Sequence, residues 1–94
     1  MPIAMRVKVK LDPLFRSKIG MEGAFPQELP DGATVSDCLS AIAARWPQLE
    51  PMLRAPAVSY SLFINRRIVP RGRADAFPLK DGDTLYLFEP LAGG

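Results

Sequence analysis

The stretch DGDTLYLF, residues 81–88, decides the fold that the sequence predicts. Its first three residues form a tight-turn signal, because aspartate bonds back to its local backbone and glycine accepts left-handed conformations. After the turn, aliphatic and aromatic residues alternate, so Leu85 and Leu87 face one side of a strand and Tyr86 and Phe88 face the other. The stretch therefore predicts a half-buried strand near the C-terminus.

Similar alternation predicts two further strands. Residues 6–11 read RVKVKL, with aliphatic side chains on one face and basic side chains on the other. Residues 60–64 also alternate, with Phe63 on the face opposite Leu62 and Ile64. Each stretch has the pattern of a strand that buries one face and leaves the other exposed.

Two shorter stretches complete the predicted sheet. Residues 24–29 predict a strand that pairs with residues 6–11, and residues 67–69 predict a short strand after a turn at Asn65-Arg66. Pro26 cannot donate a ladder hydrogen bond, so the strand that contains it belongs at an edge or a bulge.

The segment after the turn Pro30-Asp31-Gly32 predicts the main helix. Thr34 suits the N-cap, and the carboxylate of Asp37 can meet the free N–H groups of the first turn. Apolar residues follow at helical spacing, and Pro47 ends the helix. These apolar residues are Val35, Leu39, Ile42 and Trp46.

The remaining segments predict irregular structure. Asp12-Pro13 reads as a break, and residues 14–20 after it read as a loop or a short turn. Residues 48–58 read as a loop, either without regular structure or with one short turn, and residues 70–78 read as a connector.

The element order predicts an α+β roll of the β-grasp type. It has a mixed sheet of four or five strands, with the first and last strands parallel at its centre and one main helix packed on one face. We expect residues 1–88 to form the β-grasp domain and residues 89–94 a flexible tail. With no long apolar run and no signal-peptide pattern, the expected compartment is the cytoplasm.

Composition argues against a self-sufficient enzyme. The chain has no histidine and one cysteine, Cys38, so it lacks the usual general base and cannot form an internal disulfide or a common zinc site. Cys38 on the predicted helix reads as a small core residue. Asp81 and Asp83 are too few ligands for a metal and fit a turn better. A net charge of +2 is too small to indicate nucleic-acid binding.

Several motifs together resemble the MoaD/ThiS family of ubiquitin-like sulfur carriers. They are INRRIV at residues 64–69, PLKDGDTLYLFEPLAGG at residues 78–94 and LPDGATVSDCLSAI at residues 29–42. PLFRSKIG, residues 13–20, looks like the family's segment after the first strand, with Arg16 in the place of a characteristic arginine. MoaD proteins usually carry two prolines before the tail, where this chain has Glu89-Pro90, and Val69-Pro70-Arg71 looks more like the thiamine-pathway carriers.

The resemblance implies that the working group is the C-terminal carboxylate of Gly94. An E1-like adenylyltransferase of the MoeB/ThiF type would adenylylate it with ATP, and a sulfur donor would convert it to a thiocarboxylate. The chain itself would bind no cofactor and no metal. Gly93 and Ala92 are small enough to thread a narrow channel of a partner. At about 7% glycine usage, two terminal glycines arise by chance in only roughly 0.5% of chains.

Two surfaces are candidates for partner binding. Phe63, Tyr86 and Phe88 would share the outward face of the sheet with the basic residues of the first strand, as a docking surface does. The alternatives are scattered exposed apolar residues or an error in strand phase. Arg66 and Arg67, with Arg71 and Arg73, form a basic cluster, which is either a solvated loop or the complement of an acidic surface on the activating enzyme. Arg16 is also assigned to partner binding.

The resemblance is closest to MoaD, the small subunit of molybdopterin synthase. That subunit would insert its tail into a MoaE-like large subunit, whose lysine does the chemistry, and donate sulfur for molybdenum or tungsten cofactor. The alternatives are a carrier for thiamine thiazole, cysteine or another sulfur metabolite, a ubiquitin-like modifier conjugated to lysines, and a purely binding module. Neither nucleic acid nor a membrane is expected as a partner.

Overall fold

The computed structural model describes residues 5–20, 24–54 and 61–88. The strands within these ranges are β1 (Met5–Leu11), β2 (Ala24–Leu29), β3 (Ser61–Ile64), β4 (Arg67–Val69) and β5 (Thr84–Phe88). The helices are α1 (Pro13–Ile19), α2 (Val35–Arg45) and α3 (Glu50–Arg54), with 3₁₀ segments at Pro47–Leu49 and Arg71–Ala76. In the described ranges, no helix has the length and apolar character that crossing a membrane requires.

The strands form one mixed sheet in the order β2-β1-β5-β3-β4. β1 and β5 are parallel neighbours at its centre, with Val9 opposite Leu85 and Leu11 opposite Leu87. The other neighbouring strands are antiparallel. The α+β prediction is confirmed, because a mixed sheet of five strands with one main helix on one face is the β-grasp arrangement.

The turn before β5 is held by its two aspartates. The carboxylate of Asp81 accepts a hydrogen bond from the backbone N–H of Arg6 at 2.8 Å, and that of Asp83 accepts one from the N–H of Lys80 at 2.9 Å. Between them Gly82 has a φ of 86°, which favours glycine. Both carboxylates therefore act as backbone acceptors that fix the entry of β5 beside β1.

Helix α2 begins with the predicted cap. The Thr34 side chain accepts a hydrogen bond from the N–H of Asp37 at 3.2 Å, and the Asp37 side chain accepts one from the N–H of Thr34 at 2.9 Å. This reciprocal pair satisfies two otherwise free donors of the first turn. The helix packs on one face of the sheet through its buried residues Val35, Cys38, Ile42 and Ala43.

Two of the apolar residues that recur at helical spacing lie at the margin of the core. Leu39 and Trp46 are half-buried and pack against the core from its edge. The Trp46 ring meets the Phe25 ring edge-on, with centroids 4.6 Å apart. Trp46 thus closes the gap between the end of α2 and strand β2.

The prediction of a loop or short turn at residues 14–20 is wrong, because residues 13–19 form α1. Asp12 is its N-cap and accepts a hydrogen bond from the N–H of Phe15 at 3.1 Å, while Pro13 occupies the first turn. Gly20 ends the helix in a left-handed conformation. Phe15 is only 1% exposed, so α1 contributes a large side chain to the core.

Two other segments are more regular than predicted. The segment predicted as a loop with at most one short turn, residues 48–58, begins within the 3₁₀ turn Pro47–Leu49 and continues as the short helix α3; its described part buries Leu49 and Leu53. Most of the predicted connector at residues 70–78 is the 3₁₀ segment Arg71–Ala76, which buries Ala74. In each case buried apolar side chains stabilise a segment that its prolines and glycine marked as irregular.

Candidate functional site

The face of the sheet opposite α2 carries the predicted docking surface. Register across the strands places Lys10 on β1 next to Tyr86 on β5, and Tyr86 next to Phe63 on β3. Arg6, Lys8 and Lys10 are exposed on this face, whereas the residues between them are buried. The predicted strand phase is therefore confirmed, and aromatic and basic side chains share one face.

Phe63, Tyr86 and Phe88 form a contiguous cluster, called here the aromatic face. The rings of Tyr86 and Phe88 are stacked with centroids 5.6 Å apart, and those of Phe63 and Phe88 are tilted with centroids 6.4 Å apart. Phe88 is 38% exposed and the other two are half-buried. The Nζ of Lys10 lies 5.4 Å from the centroid of the Tyr86 ring, so a cation borders the cluster.

Sequence reasoning missed one member of this surface. Ile68 on β4 lies opposite Phe63 in the register and is 65% exposed. It extends the aromatic face by one strand, to the edge of the sheet. Successive side chains of a strand point to opposite faces, and this rule could have identified Ile68. Because Val69 faces the core, its neighbour Ile68 points to the other face.

Arg16 lies at the end of the molecule where β5 finishes. It lies in the first turn of α1, where its backbone N–H donates a 3.0 Å hydrogen bond to the carbonyl of Asp12. The N–H of Asp12 in turn donates a 3.0 Å hydrogen bond to the carbonyl of Leu87 on β5. Among the described residues the Nε of Arg16 is enclosed and has no hydrogen-bond partner. Arg16 is thus placed close to the end of β5.

Arg66 and Arg67 lie at the opposite end of the sheet. Arg66 lies in the turn between β3 and β4, and Arg67 begins β4. At this end of the sheet Ile64 pairs with Arg67 and also with Leu85, near the start of β5. Both arginines are exposed, as is Arg73 in the segment after β4. The structure therefore separates Arg16 from the basic cluster, and the aromatic face lies between them.

The predicted reactive end, Ala92, Gly93 and Gly94, lies outside the described residues. The last described residue, Phe88, belongs to the aromatic face and pairs with Ser61. The chain therefore enters its C-terminal segment directly beside the aromatic face. A partner that holds this face would also be next to the origin of that segment.

Cys38 offers no nucleophile. It is fully buried in α2, and burial raises the pKa of its thiol to about 12. The thiol therefore stays protonated at neutral pH, and a thiol is far less nucleophilic than a thiolate. The prediction that Cys38 is a core residue is confirmed. Within residues 5–20, 24–54 and 61–88, no group of three or more acidic, histidine or cysteine side chains is placed to hold a metal ion.

Three solved structures share this architecture. A Pyrococcus furiosus protein described as molybdopterin converting factor subunit 1 is 28% identical, with a TM-score of 0.76 over 94% of this chain and 100% of that one. Haloferax volcanii SAMP1 is 24% identical, with a TM-score of 0.76 over 95% and 99%. A complex of subunits 1 and 2 of the Helicobacter pylori molybdopterin-converting factor matches at 24% identity and a TM-score of 0.60, over 96% and 100%. The last two likenesses concern the fold alone.

Sequence comparison identifies the family. An uncharacterized protein of Archaeoglobus fulgidus is 31% identical in an alignment of 93 positions that covers 96% of this chain and 100% of that protein. The model of the ThiS family matches residues 16–94, which include Arg16, the aromatic face and the terminal Gly-Gly. The resemblance noted from the sequence is thereby confirmed, and the chain belongs to the ThiS family, with the ubiquitin-like β-grasp fold.

Proposed function

We propose that this chain is a sulfur carrier whose C-terminal carboxylate, on Gly94, is adenylylated and then converted to a thiocarboxylate. The observation that carries the proposal is the ThiS-family match, which continues through the terminal Gly-Gly. The chain's own side chains support it indirectly. Without histidine, and with Cys38 buried as a thiol, a free α-carboxylate is the chemical group best suited to activation.

The chemistry needs a partner enzyme at each step. A carboxylate oxygen of Gly94 attacks the α-phosphorus of ATP, pyrophosphate leaves, and an acyl-adenylate forms. Sulfide equivalents then attack the carbonyl carbon, the bond from that carbon to the AMP oxygen breaks, and a thiocarboxylate remains. An E1-like adenylyltransferase supplies the ATP site, so the carrier needs no bound cofactor. We place these steps in the cytoplasm.

The pathway we propose is molybdopterin synthesis, with this chain as the small subunit of molybdopterin synthase. The support is its 28% identity with the Pyrococcus furiosus protein described as molybdopterin converting factor subunit 1. A MoaE-like large subunit would receive the tail and supply a lysine for the transfer. The two-subunit assembly of the Helicobacter pylori factor is the model for this partnership.

The aromatic face is the surface we propose for docking of the activating enzyme. Its apolar centre with a basic border has the anatomy of a protein interface. Its position beside the origin of the C-terminal segment would let an enzyme hold the domain and receive Gly94 at the same time.

The test is the intact mass of the protein purified from its native host. We expect the mass to increase by the difference between one sulfur atom and one oxygen atom, and a variant lacking Gly94 should not show this increase. If the protein acquires no thiocarboxylate even with an activating enzyme and a sulfur source present, the proposal fails. Higher-mass conjugates on an immunoblot would instead indicate a lysine modifier. A thiocarboxylate that converts no pterin precursor with a large subunit would indicate a carrier of another pathway.

A further inference from the structure

The two edge strands of the sheet, β2 and β4, differ in what covers their outer sides. At β2, Pro26 has no N–H, and its carbonyl accepts a hydrogen bond from Nη1 of Arg45 at 3.0 Å. The same nitrogen donates to Oε1 of Gln27 at 3.1 Å. The guanidinium lies over the rings of Phe25 and Trp46, 4.9 and 4.3 Å from their centroids. The β2 edge is therefore occupied by the protein's own side chains.

The hydrogen bonds of β3 determine which backbone groups of β4 are free. The N–H of Asn65 donates to the carbonyl of Thr84 at 2.8 Å, so it points towards β5. Backbone groups alternate sides along a strand, so those of Ile64 and Leu62 point the other way, towards β4. Their register partners Arg67 and Val69 therefore bond inward to β3. The N–H and the carbonyl of Ile68 must then point away from β3, at an edge where no other described strand pairs with β4.

The side chain of Ile68 makes this edge apolar on one face. It is 65% exposed and continues the row that Tyr86 and Phe63 begin. If another strand were added at β4, its residue opposite Ile68 would lengthen this row by one position. An apolar residue, preferably β-branched, fits that position. The neighbouring residues of the added strand would point to the other face, beside Arg67.

Charge restricts which strand can be added. Arg66, Arg67 and Arg73 are exposed, and none of them forms an ion pair within the part of the chain that the structure describes. A second copy of β4 would bring like charges together, which protects this edge from self-association. In a strand whose central apolar residue lies opposite Ile68, one neighbour lies opposite Arg67 and the other opposite the buried Val69. An acidic residue opposite Arg67 would therefore be favourable.

We propose that the β4 edge binds an extended acidic segment of a partner protein by strand addition. An apolar residue of that segment pairs with Ile68, and the neighbour that lies opposite Arg67 is acidic. The backbone of Ile68 donates one hydrogen bond to the segment and accepts another from it. This binding mode goes beyond the proposed sulfur transfer, because it uses neither Gly94 nor sulfur, and a tail-deleted variant should keep it.

The test uses amide NMR of isotope-labelled protein and a capped seven-residue peptide of alternating glutamate and valine, with valine at its centre. We expect shifts centred on the amide of Ile68 and its neighbours, and slower hydrogen exchange of that amide when peptide is bound. A peptide with an N-methylated central valine leaves the protein unchanged and loses one backbone donor, so it should bind about tenfold more weakly. A peptide with lysine in place of glutamate should not bind.

Variants of the protein separate backbone pairing from side-chain contact. Ile68→Pro removes the outward N–H without removing a bond to β3, and it should abolish the peptide-induced shifts of the amides that neighbour residue 68. Ile68→Ala keeps the N–H and should retain binding in weaker form. Arg67→Glu should reverse the preference towards the lysine peptide. A thermal melt of each variant shows whether the fold is intact.

Three outcomes would overturn the proposal. The first is an absence of shifts at Ile68 with the glutamate peptide up to millimolar concentration. The second is equal binding of the N-methylated and unmodified peptides, which would make the contact a side-chain contact alone. The third is binding of a single-stranded oligonucleotide to the arginines while the glutamate peptide does not bind, which would indicate a nucleic-acid surface instead.

Discussion

Nδ2 of Asn65 donates a hydrogen bond of 3.1 Å to Oδ1 of Asp83, so the turn between β3 and β4 is tied to the turn before β5. The same side chain makes a second bond to this region, because Oδ1 of Asn65 accepts a 3.0 Å hydrogen bond from the N–H of Thr84. Asn65 also has a left-handed φ of 56°. One side chain therefore fixes both the tight turn and the register of β3 against the central strand β5.

Replacement of Asn65 should destabilise the fold by two separable effects. Asn65→Gly loses the side-chain hydrogen bonds but tolerates the left-handed conformation, and we expect a loss of about 1 kcal/mol in the free energy of unfolding. Asn65→Ala loses the same hydrogen bonds and also places a Cβ in the left-handed conformation, so its free energy of unfolding should be lower by a further ~1 kcal/mol. Chemical denaturation of both variants measures the two values. Equal stability of Asn65→Ala and the parent protein would show that neither effect operates.

The capping box of α2 predicts a second stability effect. Thr34→Ala removes the acceptor for the N–H of Asp37 and should cost about 1 kcal/mol. Ser40→Ala is the matched control, because Ser40 is exposed within the same helix and should change stability by less than about 0.5 kcal/mol. Denaturation midpoints compare the two. If the control loses as much stability as Thr34→Ala, the cap is not the cause.

Local signals in the sequence predict most of the fold. Alternation alone gives the inward and outward faces of β1, β3 and β5, and the Thr34–Asp37 spacing gives the start of α2. The same local reasoning missed α1, because Asp12-Pro13 reads equally well as a break and as an N-cap followed by a first helical residue. What decides between these readings is the burial of Phe15 in the core, and burial is a tertiary property.

The candidate site is only partly predictable for a related reason. The aromatic face follows from strand phase, so Phe63, Tyr86 and Phe88 were identified correctly as neighbours. The addition of Ile68 requires the register between β3 and β4, and the separation of Arg16 from Arg66 requires the strand order. Neither the register nor the order is contained in one strand's own pattern.

The buried thiol of Cys38 predicts a loss of stability at alkaline pH. In the unfolded chain the thiol titrates near its ordinary pKa of 9.0, whereas burial raises the pKa in the folded protein to about 12. Above pH 9 the unfolded state therefore binds fewer protons than the folded state. The free energy of unfolding should then fall by up to about 1.4 kcal/mol per pH unit between these two pKa values, and it should be unaffected below pH 8.

Cys38→Ala is the control for this pH dependence. All other ionisable side chains are the same in both proteins, so the difference between the two pH profiles isolates the thiol. The variant should be less stable at neutral pH, because a buried side chain is shortened, but it should lose stability less steeply above pH 9. Parallel profiles for the two proteins would mean that the thiol is not protected by burial.

The aromatic face predicts how strongly the activating enzyme holds the carrier. Phe88→Ser removes the most exposed ring of the cluster and the stacking partner of Tyr86. If an E1-like enzyme docks here, the KM for the carrier should rise about tenfold or more, since buried aromatic residues dominate interface energies. The kcat should change little, because the reacting carboxylate is unaltered. Pyrophosphate exchange catalysed by the enzyme at increasing carrier concentration measures both quantities.

The matched control for Phe88→Ser is Ala44→Ser, because Ala44 is exposed on α2, the helix that packs on the other side of the sheet. It introduces the same hydroxyl group away from the aromatic face, and both quantities should keep the values of the parent protein. A variant lacking Gly94 should show the opposite pattern to Phe88→Ser: it should compete for the enzyme through the intact aromatic face yet give no exchange. Loss of competition in that variant would place docking in the tail and not on the sheet.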